Sequence, residues 1–435
     1  MTVTATEPLP GRIDTLTADQ EAMLKETWRQ LLTLFKQAGE PWTAPEPKKK
    51  EEPKKSSFWG FSGGSAEPEA KDLFMGVGKN PAWLDLPLEK ALPLIPGEEL
   101  ELTFWNMTVT DNADAVLLRF LRARKWDQKA AFNMLVNCLR WRLVNRVDEI
   151  VALGEQGIFD ELEKLKPGMG QQFVENLHCN KAVIGGPSKN GYPIAYINPR
   201  FHKKEDQDHE VIKIMTVYFM ESSRMVVHQP MEAACILFNM DGFTIANWDF
   251  EFIKFLVKCF EAYYPETLGF AIIHKAPWVF STLWSMVTPI LDPVVASKFR
   301  FTKNNDELFE YIDESILPDF ILGTGKIEKN TVLPPMPTRG VLIEERAQTA
   351  EYKEFRAVCQ QYMELTSEWC ETDTLARDPK RKEQALTVRR TAIRLDSHIR
   401  GRTHFHELGL AESANGRLIL KFFGKMDDTD ITDAV

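Results

Sequence analysis

The chain has 435 residues, 44% of them hydrophobic, enough for one sizeable core domain with attached segments. A formal net charge of −10 excludes general nucleic-acid binding, which needs clustered Lys and Arg against phosphates. An anionic ligand must therefore meet a local basic site.

Cys138, Cys179, Cys235, Cys259, Cys359 and Cys370 are scattered without a C-x-x-C pair, which predicts free thiols in a reducing compartment. Met1 to Asp14 lacks the basic and apolar runs of a secretory signal. No window holds the ~18 apolar residues that a bilayer span needs. The expected address is cytoplasmic, as a monomer touching endomembranes or lipid droplets only peripherally.

Residues 1–40 form an N-terminal extension in which Leu24, Trp28, Leu31, Leu32 and Phe35 stripe one face of a helix over 18–38. Residues 41–75 read as a disordered linker, rich in Pro, Lys, Glu, Ser and Gly. Its lysines at 48–50 and 54–55 precede Phe58-Trp59-Gly60-Phe61, either a solvated linker or an adhesive for anionic lipid surfaces. A helical subdomain spans 105–150. Asp111 is its expected N-cap, Leu117, Leu118 and Leu121 begin one stripe, and Phe132, Leu135 and Leu139 follow a break at Trp126-Asp127.

Between 165 and 326 the pattern alternates. Pro193–Asn198, Ala234–Met240, Phe270–His274 and Val294–Phe301 are strand-like, with helical stretches near 208–228, 247–262, 278–291 and 306–315. Strands separated by helices need crossovers, so the expected fold is α/β with a mostly parallel sheet. Gly185 to Gly191 is glycine-rich without P-loop spacing and reads as a turn into the first strand. A C-terminal helical extension covers 340–423. Tyr352, Phe355, Val358, Tyr362, Leu365 and Trp369 form its amphipathic stripe, and Arg377 to Arg402 is basic. Residues 424–435 read as an acidic disordered tail.

Catalytic signatures are missing: no G-x-S-x-G, no Walker loop, no G-x-G-x-x-G after a strand. His404 and His406, with Glu407 beside them, fall short of zinc spacing. The chain is expected to be no enzyme and to hold no metal or cofactor beyond a bound phospholipid or other hydrophobic ligand.

The most informative stretch runs from Lys275 to Leu291. Pro277 suits a helix start, and nothing charged follows until Asp292, whereas Trp278, Phe280, Leu283, Trp284, Met286 and Val287 crowd the interior. Two readings stand: a fully buried helix, or one that covers an apolar cavity and meets a bilayer on opening, for which Trp is suited. Two acyl chains totalling ~30 methylenes cost roughly 24 kcal/mol in water, so a carrier needs a nearly complete apolar sheath. Read as a strand, Val294–Phe301 places Lys298 and Arg300 on one face with Ala296. Arg122, Arg124 and Lys125 cluster after Phe120-Leu121, as solvated charges or a phosphate site. Glu266, after Tyr263-Tyr264-Pro265, reads as a helix-start acid.

Leu117 to Asp127 (LLRFLRARKWD) resembles the opening motif of the CRAL-TRIO N-terminal subdomain. Tyr263-Tyr264-Pro265-Glu266, Pro277-Trp278-Val279-Phe280, and Leu291-Asp292-Pro293-Val294 with Ser297-Lys298 resemble its lipid-binding core, in the same order. The resemblance covers 105–326 and points to the fungal phosphatidylinositol transfer proteins. It implies a lipid pocket closed by a gate helix at about 278–291, with Trp278, Phe280, Leu283, Trp284, Val287 and Val295 as gate and pocket residues. It implies a headgroup site of Arg124, Lys125, Glu266 and Lys298, in which Glu266 holds Lys298. Two positions depart from the family. Val295 replaces a Thr of the inositol motif, and Ala234 and Ile236 replace the hydroxyls of members that exchange phosphatidylcholine. The implied function is phosphatidylinositol transfer without phosphatidylcholine. Alternatives are a sterol-like or isoprenoid cargo, or presentation of lipid to a partner such as a lipid kinase.

Overall fold

The computed structural model describes residues 9–40, 80, 82–329, 343–372, 378–407, 409, 411–412, 416–421 and 427–435. The 41–75 linker and its aromatics lie outside them.

Helix α1 (Ala18–Leu34) starts at Thr17, whose hydroxyl accepts from Gln20 N while Gln20 Oε1 accepts from Thr17 N. Leu24, Trp28, Leu31 and Phe35 are buried as the stripe predicts, and Leu32 is half-buried. They pack in one core with α2 (Gly97–Thr108), α3 (Ala113–Ala123) and α4 (Gln128–Val144). The α3 N-cap is Asn112, not Asp111. Asn112 Oδ1 accepts from Asp114 N and Ala115 N, while the Asp111 carboxylate turns to Arg119. Helices α5 (Val147–Leu165) and α6 (Met169–His178) lead into the sheet.

The five-stranded sheet has the order β1 (Ala182–Gly185), β2 (Ile194–Ile197), β3 (Ala234–Asn239), β4 (Leu268–His274), β5 (Phe299–Thr302). All neighbours are parallel except the β1–β2 edge, so the mostly parallel sheet stands. Crossovers run through α7 (His209–Ser223), then α8 (Phe250–Lys258) with a π-helical turn to Tyr263, then α9 (Phe280–Val287). Strand β1 is unanticipated. Gly185, read as part of a turn, is its last residue, where a Cβ would stand 2.4 Å from the Tyr196 ring. Val294–Phe301 is not one strand. Asp292 caps a short helix, α10 (Pro293–Ala296), and β5 begins only at Phe299, so Lys298 and Arg300 share no strand face with Ala296.

In the C-terminal extension, α11 (Ala350–Cys370) lays its stripe on α1, Tyr362 against Trp28 at 5.9 Å. From α12 (Pro379–Arg394), Arg381 grips the Asp114 carboxylate with two bonds of 2.8 and 2.9 Å, and Trp28 Nε1 donates to the same carboxylate at 2.7 Å. The acidic end, expected to be disordered, is ordered over 427–435. Thr429–Asp430 pairs in a second, three-stranded sheet, Ile431 is buried, and Arg389 donates to the carbonyls of Ile431, Thr432 and Thr110. No helix among the described residues is long and apolar enough to cross a membrane.

Candidate functional site

Strand alternation marks the site. Along β3, Cys235, Leu237 and Asn239 are buried, but Ala234, Ile236 and Phe238 keep accessible surface although the strand is central. In β2, Ala195 and Ile197 do the same between buried Ile194 and Tyr196. The accessible face opens on an internal cavity of about 200 Å³, bounded opposite by Met215, Phe219 and Met220 of α7 and by Phe252, Leu256 and Phe260. One buried water needs ~10–15 Å³ on the same measure, so the space suits a chain-like molecule. Its wall is mostly apolar.

The carboxylates of the wall are grouped with arginines. Glu221 takes bonds from Arg142 at 2.7 Å, Tyr264 Oη at 2.8 Å and Arg224 at 3.4 Å. Burial pulls its carboxyl upward, but the arginines outweigh this and hold its pKa down at about 2. Asp111 faces Arg119 and Arg224; burial is again overcome, and its pKa falls below the ordinary value. Glu232 pairs with Arg12 and Arg122, but there burial prevails over Arg119 and Arg12 and its pKa is raised. These groups join the helical subdomain to the sheet domain.

Thr267 lines one end of the cavity, and its carbonyl accepts from Ala234 N at 2.9 Å. Glu266 and Leu268 flank it. Lys298 Nζ lies 3.9 Å from Glu266 Oε1 and donates to the Leu268 carbonyl at 2.8 Å. The structure thus brings Lys298 and Glu266 together on the residues that flank Thr267. Arg124 is exposed and donates to its neighbour's carbonyl, Ala123 O, at 3.2 Å. It also acts on Glu261, which accepts from Asp292 N at 2.7 Å beside the start of α10. Lys125 is exposed at a positive φ of 51°. Arg124, Lys125, Glu266 and Lys298 stand outside the lining itself.

The CRAL/TRIO domain matches residues 177–323 and the CRAL/TRIO N-terminal domain residues 86–137. The chain is 33% identical over 431 residues to the phosphatidylinositol transfer protein CSR1 of Eremothecium gossypii, covering 91% of this chain and 97% of that protein. The chain belongs to the CRAL/TRIO family. Two CRAL-TRIO domain-containing proteins of Schizosaccharomyces pombe are also similar. C3H8.02 is 36% identical over 330 residues, 74% of this chain and 71% of that protein. C365.01 is 29% identical over 280 residues, 62% and 74% respectively.

Within this CRAL/TRIO fold, α9 is neither fully buried nor part of the cavity wall. Phe280, Leu283 and Val287 are buried, the first two in a cluster with Met240, Phe243 and Ile273. Trp284 packs on Phe299 at 4.7 Å, Val295 is half-buried, and Trp278 is 86% exposed. None of these six residues lines the cavity. The expected hollow under the tryptophan-bearing helix lies instead against β1–β3, because α7 and α8 are the elements that stand off those strands. The outer face of α9 carries Ser281, Thr282, Ser285 and Met286 and no charge. Sequence reasoning missed the α7 and α8 lining; only the small Ala234 and Ala195, alternating with larger residues, hinted at it.

Among the described residues no group of His, Cys, Asp and Glu can hold a metal ion. Lys181 closes the far end of the lining beside Ile197 and Phe238, roughly 13 Å along β3 from Ala234 at ~3.3 Å per residue. Its amine donates to Asn176 Oδ1 and meets His202 Nδ1 at 3.3 Å, and burial lowers its pKa to about 8.

Proposed function

We propose that this chain is a carrier, not an enzyme, which takes up phosphatidylinositol and moves it passively between membranes. The observation that carries the reading is an apolar cavity whose lining residue Thr267 lies between Glu266, paired with Lys298, and Leu268, whose carbonyl Lys298 holds. Acyl chains gain ~0.8 kcal/mol per methylene on entering such a space, and a phosphate gains a charge-assisted bond from an ammonium that a carboxylate keeps in place. Arg124 and Lys125, exposed next to the same region of the fold, are the remaining headgroup cations in this reading.

Phosphatidylcholine is excluded in the same reading, because Ala234 and Ile236 present only hydrocarbon to the cavity. The uncharged outer face of α9, with exposed Trp278, is the surface that meets the bilayer, so association is peripheral and the protein is cytoplasmic between encounters. Endomembranes and lipid droplets are the proposed sites of contact, and the carrier works as a monomer.

One observation favours a second reading, a sterol-like or isoprenoid cargo: Val295 stands where the inositol motif has a hydroxyl, and the cavity wall is mostly apolar. The third reading, presentation of lipid to a lipid kinase, needs a surface for the partner, for which the C-terminal extension is the candidate segment. That extension packs on α1 and the helical subdomain, which leaves this reading without an observation in its favour.

Mass spectrometry of lipid extracted from the purified protein is the test. Phosphatidylinositol as the dominant species is expected. Abundant phosphatidylcholine refutes the specificity, and a neutral isoprenoid or sterol alone selects the second reading.

A further inference from the structure

The C-terminal extension sends one side chain into the cavity wall. Arg400 lines the cavity, is 4% exposed, and its Nη1 has no hydrogen-bond partner among the described residues. Asp396 pairs with it, 3.0 Å from Nε, and also faces His406 at 3.4 Å. Ser223, on the same wall, likewise buries an Oγ without a partner.

The backbone is built to hold Arg400 there. Arg400 N donates to Asp396 O at 2.8 Å, Gly401 N donates to Val151 O at 2.9 Å, and Ile399 O accepts from Arg346. A Cβ on Gly401 would stand 2.6 Å from Gly154 Cα, so glycine is required for the tail to approach α5 this closely. Val151, one turn away on α5, is itself part of the lining.

A buried N–H without an acceptor is unfavourable, and a guanidinium in an apolar wall attracts an oxygen acceptor most strongly. We propose that Arg400 is a ligand-binding residue: its guanidinium donates to an acyl oxygen, a carboxylate or an ester carbonyl, of the cavity's lipid. This rests on the carrier reading and adds to it a recognition point supplied by the C-terminal extension. The site then selects an oxygen-bearing lipid over a plain hydrocarbon of the same length.

The test compares radiolabelled palmitate, methyl palmitate and hexadecane on the full chain and on Arg400→Met and Arg400→Lys. These probes share a chain length and differ only in the terminal oxygen. Arg400→Met should weaken palmitate and methyl palmitate roughly tenfold, the loss of one charge-assisted bond, and leave hexadecane unchanged. Arg400→Lys should recover part of the loss. Loss for palmitate alone assigns a free carboxylate, and loss for both assigns the shared acyl oxygen. Equal loss for all three probes, or for none, overturns the proposal while leaving the carrier reading intact. Wild-type protein that takes up no probe overturns the proposal, and the carrier reading then stands or falls on the extracted lipid. If Arg400→Met does not fold, the infrared band of methyl palmitate labelled at its carbonyl decides in the wild-type protein. A hydrogen-bonded, downshifted carbonyl is expected, and the frequency seen in hexane overturns the site.

Discussion

Lys298 Nζ sits 3.9 Å from Glu266 Oε1 and spends one of its protons on the Leu268 carbonyl, 2.8 Å away. The ammonium is therefore fixed in direction, with hydrogen-bonding capacity to spare. Lys298→Ala should cut phosphatidylinositol pickup from vesicles by roughly tenfold or more, the worth of a bond to a charged group, and change uptake of a neutral lipid little. An equal loss for both lipids would make Lys298 a structural tie between β4 and α10.

Asp114 receives Arg381 and Trp28 together in a buried setting. Asp114→Ala leaves a buried guanidinium uncompensated and should destabilise the fold by about 3–5 kcal/mol. Adding Arg381→Met should restore a large part of that. Urea unfolding of the two single variants and the double variant measures the coupling; additive losses would show that the pair does not act as a unit.

Two buried histidines set a pH dependence. Burial lowers the pKa of His202 and of His274 from 6.5 to about 4, with Lys181 adding to the effect at His202 and Lys275 at His274. Below pH 6.5 the unfolded chain takes up protons that the folded imidazoles refuse. Stability should therefore fall as the pH drops from 6.5 towards 4 and then level off, where both states are protonated. Each histidine withdraws up to about 3 kcal/mol across that window. The urea midpoint at pH 7 and pH 5 reads this, and the double variant His202→Asn, His274→Asn should flatten the difference. An unchanged slope in that variant would assign the dependence elsewhere.

Trp278 is exposed, so Trp278→Ala should alter stability by less than about 0.5 kcal/mol. Its effect should fall on exchange with vesicles, slowing transfer roughly fivefold, equivalent to about 1 kcal/mol of interfacial anchoring. Lipid content at equilibrium should stay the same. A variant that transfers at the wild-type rate would remove α9 from the membrane contact.

Periodicity carried α1, α3, α4, the crossover helices α7 to α9, α11 and three of the five strands of the main sheet, since buried faces repeat at 3.6 or 2 residues whatever packs on them, while α2, α5 and α6 were not read. It failed where local signals competed. Val294-Val295 suggested a strand, but Asp292-Pro293 is a helix start, and the cap prevailed. Gly185-Gly186-Pro187 signalled a turn and hid an edge strand four residues long. Asp111 and Asn112 both suit a cap, and only the pull of Arg119 decides between them. At the site, the motifs pointed to the Glu266–Lys298 pair. The cavity was not legible, because an apolar helix face facing a void has the same pattern as one facing a core. Nor was Arg400 legible: its place depends on a backbone approach between Gly154 and Gly401, far apart in sequence.

Arg389 links the carbonyls of Thr110, Ile431 and Thr432, so a side chain of α12 staples the lead-in to α3 onto the residues that follow the Thr429–Asp430 strand. A protein made from its N-terminus forward usually settles early segments first. Here the early helices meet among themselves first, Trp28 donating to Asp114 and packing on Phe104, but Asp114 gains Arg381 and Trp28 gains Tyr362 only once α11 and α12 have emerged. The helical half is therefore completed by segments that follow the sheet domain in the chain.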